Sequence, residues 1–192
     1  MMDRNVDVSH AAGQRWLKHY YFLRAAFSIV WVALAFVAGQ HAPGIAAALL
    51  VVYPAWDALS NYLDMSRSGG AVQNRVQAIN VVVNLAVTVA VIVALRGSMV
   101  DVLEIFGVWA ILSGLLQLGT AVRRWKEFGA QWAMILSGAQ SALAGGFFIA
   151  QARAQVPEAI IKIAGYAAVG AIYFLISAVW LTVSEMRRKS YS

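Results

Sequence analysis

Val76-Gln-Ala-Ile-Asn-Val-Val-Val-Asn-Leu-Ala-Val-Thr-Val-Ala-Val-Ile-Val-Ala-Leu95 runs for twenty residues without a charge, between Arg75 on one side and Arg96 on the other. A helix rises about 1.5 Å per residue, so the stretch extends about 30 Å, the thickness of a bilayer's hydrocarbon core. It reads as a membrane-crossing helix. Five further runs share its character: residues 20–39, 44–63, 100–122, 130–150 and 160–183. The whole chain follows suit, with 61% hydrophobic and only 12% charged residues and a mean hydropathy of +0.67. A soluble domain carries about a quarter charged residues.

The sequence therefore predicts an all-α polytopic membrane protein, a bundle of six transmembrane helices. The short uncharged connection Gln40-His41-Ala42-Pro43 makes the first two spans antiparallel neighbours. Ser66-Arg67-Ser68-Gly69-Gly70 has the composition of a flexible linker. Together they suggest three hairpins. Weak self-similarity agrees, since Tyr53, Ser113 and Tyr173 recur at equal spacing in the even spans.

The net charge of +6 follows topology and needs no nucleic-acid partner. With the N-terminus inside, Arg4, Arg15, Lys18, Arg67, Arg75, Arg123, Arg124, Lys126, Arg187, Arg188 and Lys189 all fall on the cytoplasmic side. Only Arg96, Arg153 and Lys162 fall outside, and that asymmetry orients a multi-pass protein. The expected organisation is a cytoplasmic tail at 1–15, a six-helix domain at 16–186 and a basic cytoplasmic tail at 187–192, with no removable signal peptide. A membrane is the expected location, and the lipid bilayer the expected partner.

Charged and amide residues inside the spans are the candidates for function, because polar groups at that depth are costly and normally face other helices. The first span carries Tyr20, Arg24 and Ser28 at i, i+4 and i+8. The second carries Tyr53, Asp57 and Asn61 at the same spacing, with Pro54 beside them predicting a kink. The third carries Asn80, Asn84 and Thr88. Each triad occupies one helix face. Two readings follow: an ion pair and amides that fasten helices together, or a polar layer around Asp57 serving a proton-coupled or small-solute pathway that opens to the cytoplasm.

The fifth span holds two small-residue ridges, Gly138, Ala142 and Gly146 on one and Ser137, Ser141 and Gly145 on the next. Such ridges let helix backbones approach, within a bundle or between copies in a homo-oligomer. Zero cysteines exclude disulfides and thiolate chemistry. His10, His19 and His41 stand apart, without carboxylates at ligand spacing, so no metal is expected. Nucleophile and phosphate-loop motifs are absent. Neither a cofactor nor an enzymatic activity is expected.

The stretch Phe106-Gly-Val-Trp-Ala-Ile-Leu-Ser-Gly-Leu-Leu-Gln-Leu-Gly119, the basic run Arg123-Arg124-Trp125-Lys126 and Gly129-Ala-Gln-Trp-Ala-Met-Ile-Leu-Ser-Gly138 resemble the fourth and fifth helices of the HdeD-like family of six-span bacterial membrane proteins. The resemblance implies an inner-membrane protein connected with stress and acid resistance, with no catalytic residues and no established molecular activity.

Overall fold

The computed structural model of the chain describes residues 2–67, 69–123, 131–154 and 159–189, which contain no strand. The order is α1 (Met2–Leu34), a π-helical turn (Ala35–Gly39), α2 (Pro43–Arg67), α3 (Gly70–Gln73), α4 (Arg75–Ala94), α5 (Met99–Arg123), α6 (Gln131–Arg153) and α7 (Ala159–Lys189). Among the described residues, five segments are long and apolar enough to cross a membrane: Arg15–Gly39, Pro43–Arg67, Arg75–Ala94, Met99–Gly119 and Ala159–Arg187. The expected span 130–150 falls on the helix α6; residue 130 and the side chains of residues 131–134 lie outside the described ones. The basic residues Arg124 and Lys126, Trp125, Ser68, residues 155–158 and the last three residues lie outside the described residues, as do the side chains of Arg4, His10 and Trp132.

Local sequence sets the helix boundaries. Pro43 opens α2, at a position where its missing N–H would have had no helical partner. Ser98 and Asp101 cap α5 reciprocally: the Asp101 carboxylate accepts from the Ser98 N–H at 3.1 Å, and the Ser98 hydroxyl accepts from the Asp101 N–H at 3.2 Å. After α2 the chain turns at Gly69, whose φ of 99° lies in the left-handed region that glycine adopts without penalty. α2 itself runs unbroken through the buried Pro54.

The chain divides into two compact units. One comprises α1 as far as Ala33 together with α7 from Ala167 onward. Ala25, Ser28 and Trp31 are buried on α1, and Ala167, Ala171 and Ala178 on α7. The predicted tail 1–15 is largely helical, because α1 begins at Met2. At about 1.5 Å per residue its 33 residues extend about 50 Å, longer than a hydrocarbon core.

Midway along α1, Lys18 Nζ donates to Glu185 Oε2 of α7 at 2.6 Å. Both side chains keep some solvent access, 21% and 27%, and exposed pairs of this kind are weak. A double-mutant cycle on Lys18→Ala and Glu185→Ala, measured by denaturant titration in micelles, is expected to return a coupling of about 0.5 kcal/mol.

The second unit runs from Leu34 to Tyr166. Its most extensive packing is α5 on α6, followed by α2 on α4, with α4 on α5 lighter. The closest pairs are therefore the second span with the third and the fourth with the fifth, across the boundaries of the hairpins expected from the sequence. Side-chain chemistry accounts for this. α2 and α4 share polar bonds, and α5 and α6 share a glycine ladder.

In that ladder, a Cβ on Gly114 would come within 2.4 Å of the Gly138 carbonyl oxygen, and one on Gly145 within 2.4 Å of the Gly107 carbonyl oxygen. Gly107 and Gly114 are seven residues apart on α5, and so are Gly145 and Gly138 on α6, running the opposite way. The helices are thus antiparallel, with backbone against backbone at both rungs, a spacing at which Cα–H groups reach carbonyl oxygens. Ser141 and Ala142 sit between the rungs, against Gly114.

Gly146, placed by the sequence on the same ridge as Gly138, faces open space, as do Gly119, Gly165 and Gly170. The seven-residue repeat accounts for which glycines meet inside the chain. It places Gly145 rather than Gly146 on the contact line with Gly138. Much of the small-residue surface that suggested an oligomer is used inside the chain.

Candidate functional site

α2 and α4 position the intramembrane polar residues. The side-chain Nδ2 of Asn84 donates to Asp57 Oδ2 at 2.8 Å, and Gln77 Nε2 approaches Asp64 Oδ2 at 3.4 Å. Seven residues forward on α2, from Asp57 to Asp64, correspond to seven backward on α4, from Asn84 to Gln77. The two helices run antiparallel in one register. That register sets Asn61 opposite Asn80 and, in the other direction, Pro54 opposite Val87 and Leu50 opposite Val91. Leu50 and Val91 are fully buried. The seam is polar from Asp57 toward Arg67 and apolar beyond it.

At the boundary between those halves the bonds converge. Asn61 Nδ2 donates to Asp57 Oδ2 at 3.2 Å and to the Asp57 main-chain oxygen at 2.8 Å. Trp109 of α5 donates its indole N–H to Asn84 Oδ1 at 2.7 Å. Asn84 and Trp109 are 2% and 5% exposed, so each bond stands in for hydration that is not available at that depth. Phe106 and Tyr53 meet the Trp109 ring edge-on, at centroid distances of 5.4 and 5.8 Å. Indole is a donor only, so its bond fixes the Asn84 oxygen toward α5 and turns the amide NH2 toward Asp57.

The predicted residues separate under this geometry. Asp57, Asn61, Asn84 and Tyr53 gather around one point. Thr88 bonds to the main-chain oxygen of Asn84 at 2.7 Å, one turn back on its own helix, a common arrangement for hydroxyls in apolar helices. Asn80 is half-buried and lies toward the Gln77 end.

Arg24 and Ser28 belong to the other unit. There the Arg24 guanidinium donates to the Tyr20 hydroxyl at 2.8 Å and lies 4.3 Å from the Phe174 ring centroid. The face of an aromatic ring carries negative potential that attracts a cation, all the more where water is scarce. Tyr21 stacks on Phe174 at 6.2 Å. Ser28 is buried in α1.

Protein-family profiles, curated proteins and solved structures give no match to this chain.

Sequence reasoning passed over two contributors. Trp109 stood inside the stretch Phe106–Gly119 but not among the site residues, since nothing in its own helix marks it as polar. The available signal was chemical: a tryptophan in an apolar span needs an acceptor for its N–H, and Asn84 is an amide one helix away. Tyr166 of α7 is the second. Its hydroxyl lies 2.9 Å from Ser141 Oγ, and its ring meets Phe148 edge-on. Ser141, expected only as a packing residue, is therefore also a hydrogen-bonding one. Among the described residues no three His, Asp or Glu gather as a metal site would require.

Proposed function

We propose that the protein is a non-enzymatic, multi-pass protein of the bacterial inner membrane, with both termini cytoplasmic and a stress-related role of the HdeD-like kind. Its intramembrane carboxylate fastens helices and does not carry a solute. The reading rests on how the polar atoms around Asp57 are used. Asn84 engages Asp57 with its nitrogen and Trp109 with its oxygen, while Asn61 engages Asp57 twice. A transport site needs polar atoms that exchange partners readily, whereas a fastening has its atoms engaged within the bundle. Orientation follows the excess of basic residues at one set of helix ends.

Purified protein reconstituted in liposomes containing a pH-sensitive dye tests this. Under an imposed pH gradient, proton entry is expected to match that of empty liposomes, and Asp57→Asn to leave it unchanged. Flux above the empty-liposome level that Asp57→Asn abolishes, and that Leu59→Ala on the exposed face of α2 does not, would replace the fastening with a proton pathway.

A further inference from the structure

We infer that the turn joining α2 to α4 is a binding site for an anionic phospholipid, with Arg67 and Arg75 on the headgroup phosphate and Val72 and one face of α4 against the acyl chains. Arg67 is the last residue of one membrane-crossing segment and Arg75 the first of the next. Seven residues separate them, too few to carry the chain away from the bilayer surface. Gly69 and Gly70 bend it there, with φ of 99° and 79°, and α3 touches both α2 and α4. Val72 of α3 is 83% exposed. At the edge of a bilayer, such a side chain is favoured at the boundary between headgroups and acyl chains over water.

The two arginines stand at the same level. α2 and α4 run antiparallel, and the register that sets Asp64 against Gln77 brings Arg67 level with Asn74, the residue before Arg75. Both arginines are exposed. With packed helix axes about 9 Å apart, two guanidinium forks can close on one phosphate, each offering paired N–H donors. Asp64 is the one acid between Asp57 and Asp101, and Gln77 meets it on the seam between the helices. The turn therefore carries an excess of positive charge. A zwitterionic lipid brings a cation of its own to the same place, so the preference falls on headgroups that have none.

Arg75 also stands at the head of an apolar stripe. Ile79, Val82 and Val89 follow it at i+4, i+7 and i+14, on one side of α4, and all three are exposed. Asn84 and Gln77, which face α2, lie half a turn around the helix from that stripe. A lipid with its phosphate at Arg75 has its acyl chain along Ile79 and Val82. The site needs only that α2 and α4 cross a membrane, so it stands apart from the stress-related reading and from the fastening at Asp57.

The test uses the full chain in neutral-detergent micelles, with phosphatidylglycerol and phosphatidylcholine of identical acyl chains as probes and native mass spectrometry to count bound lipids. One phosphatidylglycerol is expected to bind about tenfold more tightly than phosphatidylcholine. Arg67→Gln and Arg75→Gln are each expected to weaken it about fivefold, and Val72→Ser about threefold. Arg96→Gln removes the same charge about 30 Å away, beyond the other end of α4, and is expected to leave the affinity within about twofold. Equal affinity for the two lipids, full affinity in the double variant Arg67→Gln with Arg75→Gln, or a loss in Arg96→Gln as large as in Arg75→Gln overturns the site. Displacement of the lipid by an equal concentration of glycerol 3-phosphate overturns it too, because the occupant would then be a soluble phosphate. Should a glutamine variant fail to fold, the lysine variant takes its place. Its charge stays while the paired donors go, the preference for phosphatidylglycerol is expected to fall about twofold, and an unchanged preference overturns the site equally.

Discussion

Gly114→Leu is expected to cost about 3 kcal/mol of stability, enough to leave most of the purified protein unfolded or aggregated. Even a methyl group at this position would lie 2.4 Å from the Gly138 oxygen and 2.7 Å from the Ala142 nitrogen. Both are backbone atoms, so no rotamer change relieves the overlap. α5 and α6 would have to separate, and with them the most extensive helix contact of the second unit. In a bilayer, where apolar surface gains nothing by leaving lipid, such close packing is a main source of helix association. Unfolding by denaturing detergent in mixed micelles measures the effect. Gly146→Leu is the control, since nothing lies within 4 Å of its added Cβ, and a change within about 0.5 kcal/mol is expected there.

Asn84→Leu is expected to cost about 3 kcal/mol in the same assay. Its side chain makes two bonds at almost complete burial, and leucine returns neither. The Trp109 N–H would be left without its acceptor, and Asp57 would keep only Asn61 among the two amide donors described. Stranding a buried partner is costlier than removing a bond whole, so adding Asp57→Leu to Asn84→Leu should recover part of the loss. Thr88→Val removes only a bond to its own helix and is expected to stay within about 0.5 kcal/mol of wild type. If Asn84→Leu proved as mild as Thr88→Val, the Asp57 cluster would contribute little to holding α2, α4 and α5 together.

The membrane character and the helix positions were legible because hydrophobic length is a one-dimensional signal: twenty uncharged residues announce a span whatever they touch. The polar faces of α2 and α4 were legible too, as Tyr53, Asp57 and Asn61 on the one and Asn80, Asn84 and Thr88 on the other repeat every four residues. Which of these faces meet is a matter of register between helices, and the pattern of a single helix does not carry that. Arg24, a candidate from the first span, makes its described contacts with Tyr20 and Phe174 of the first unit. The glycines show the same limit. Gly138 and Gly146 are a good ridge on an isolated helix, but the partner's glycines repeat every seven residues and select Gly145. Trp109 escaped notice because its one polar atom is hidden in a residue that reads as apolar.

The rungs of the glycine ladder also restrict how the second unit can move. If α6 slid along α5 by one helical turn, Gly114 would come opposite Ser141 or Ala142, whose Cβ atoms occupy the space that glycine leaves empty. Intermediate positions would have to force the helices apart. α5 and α6 have a single seating and no neighbouring one, and so behave as one rigid plank with a notch at each rung. Any rearrangement of this unit must therefore take place at α2 and α4, whose seam is closed by rotatable side chains and reversible bonds.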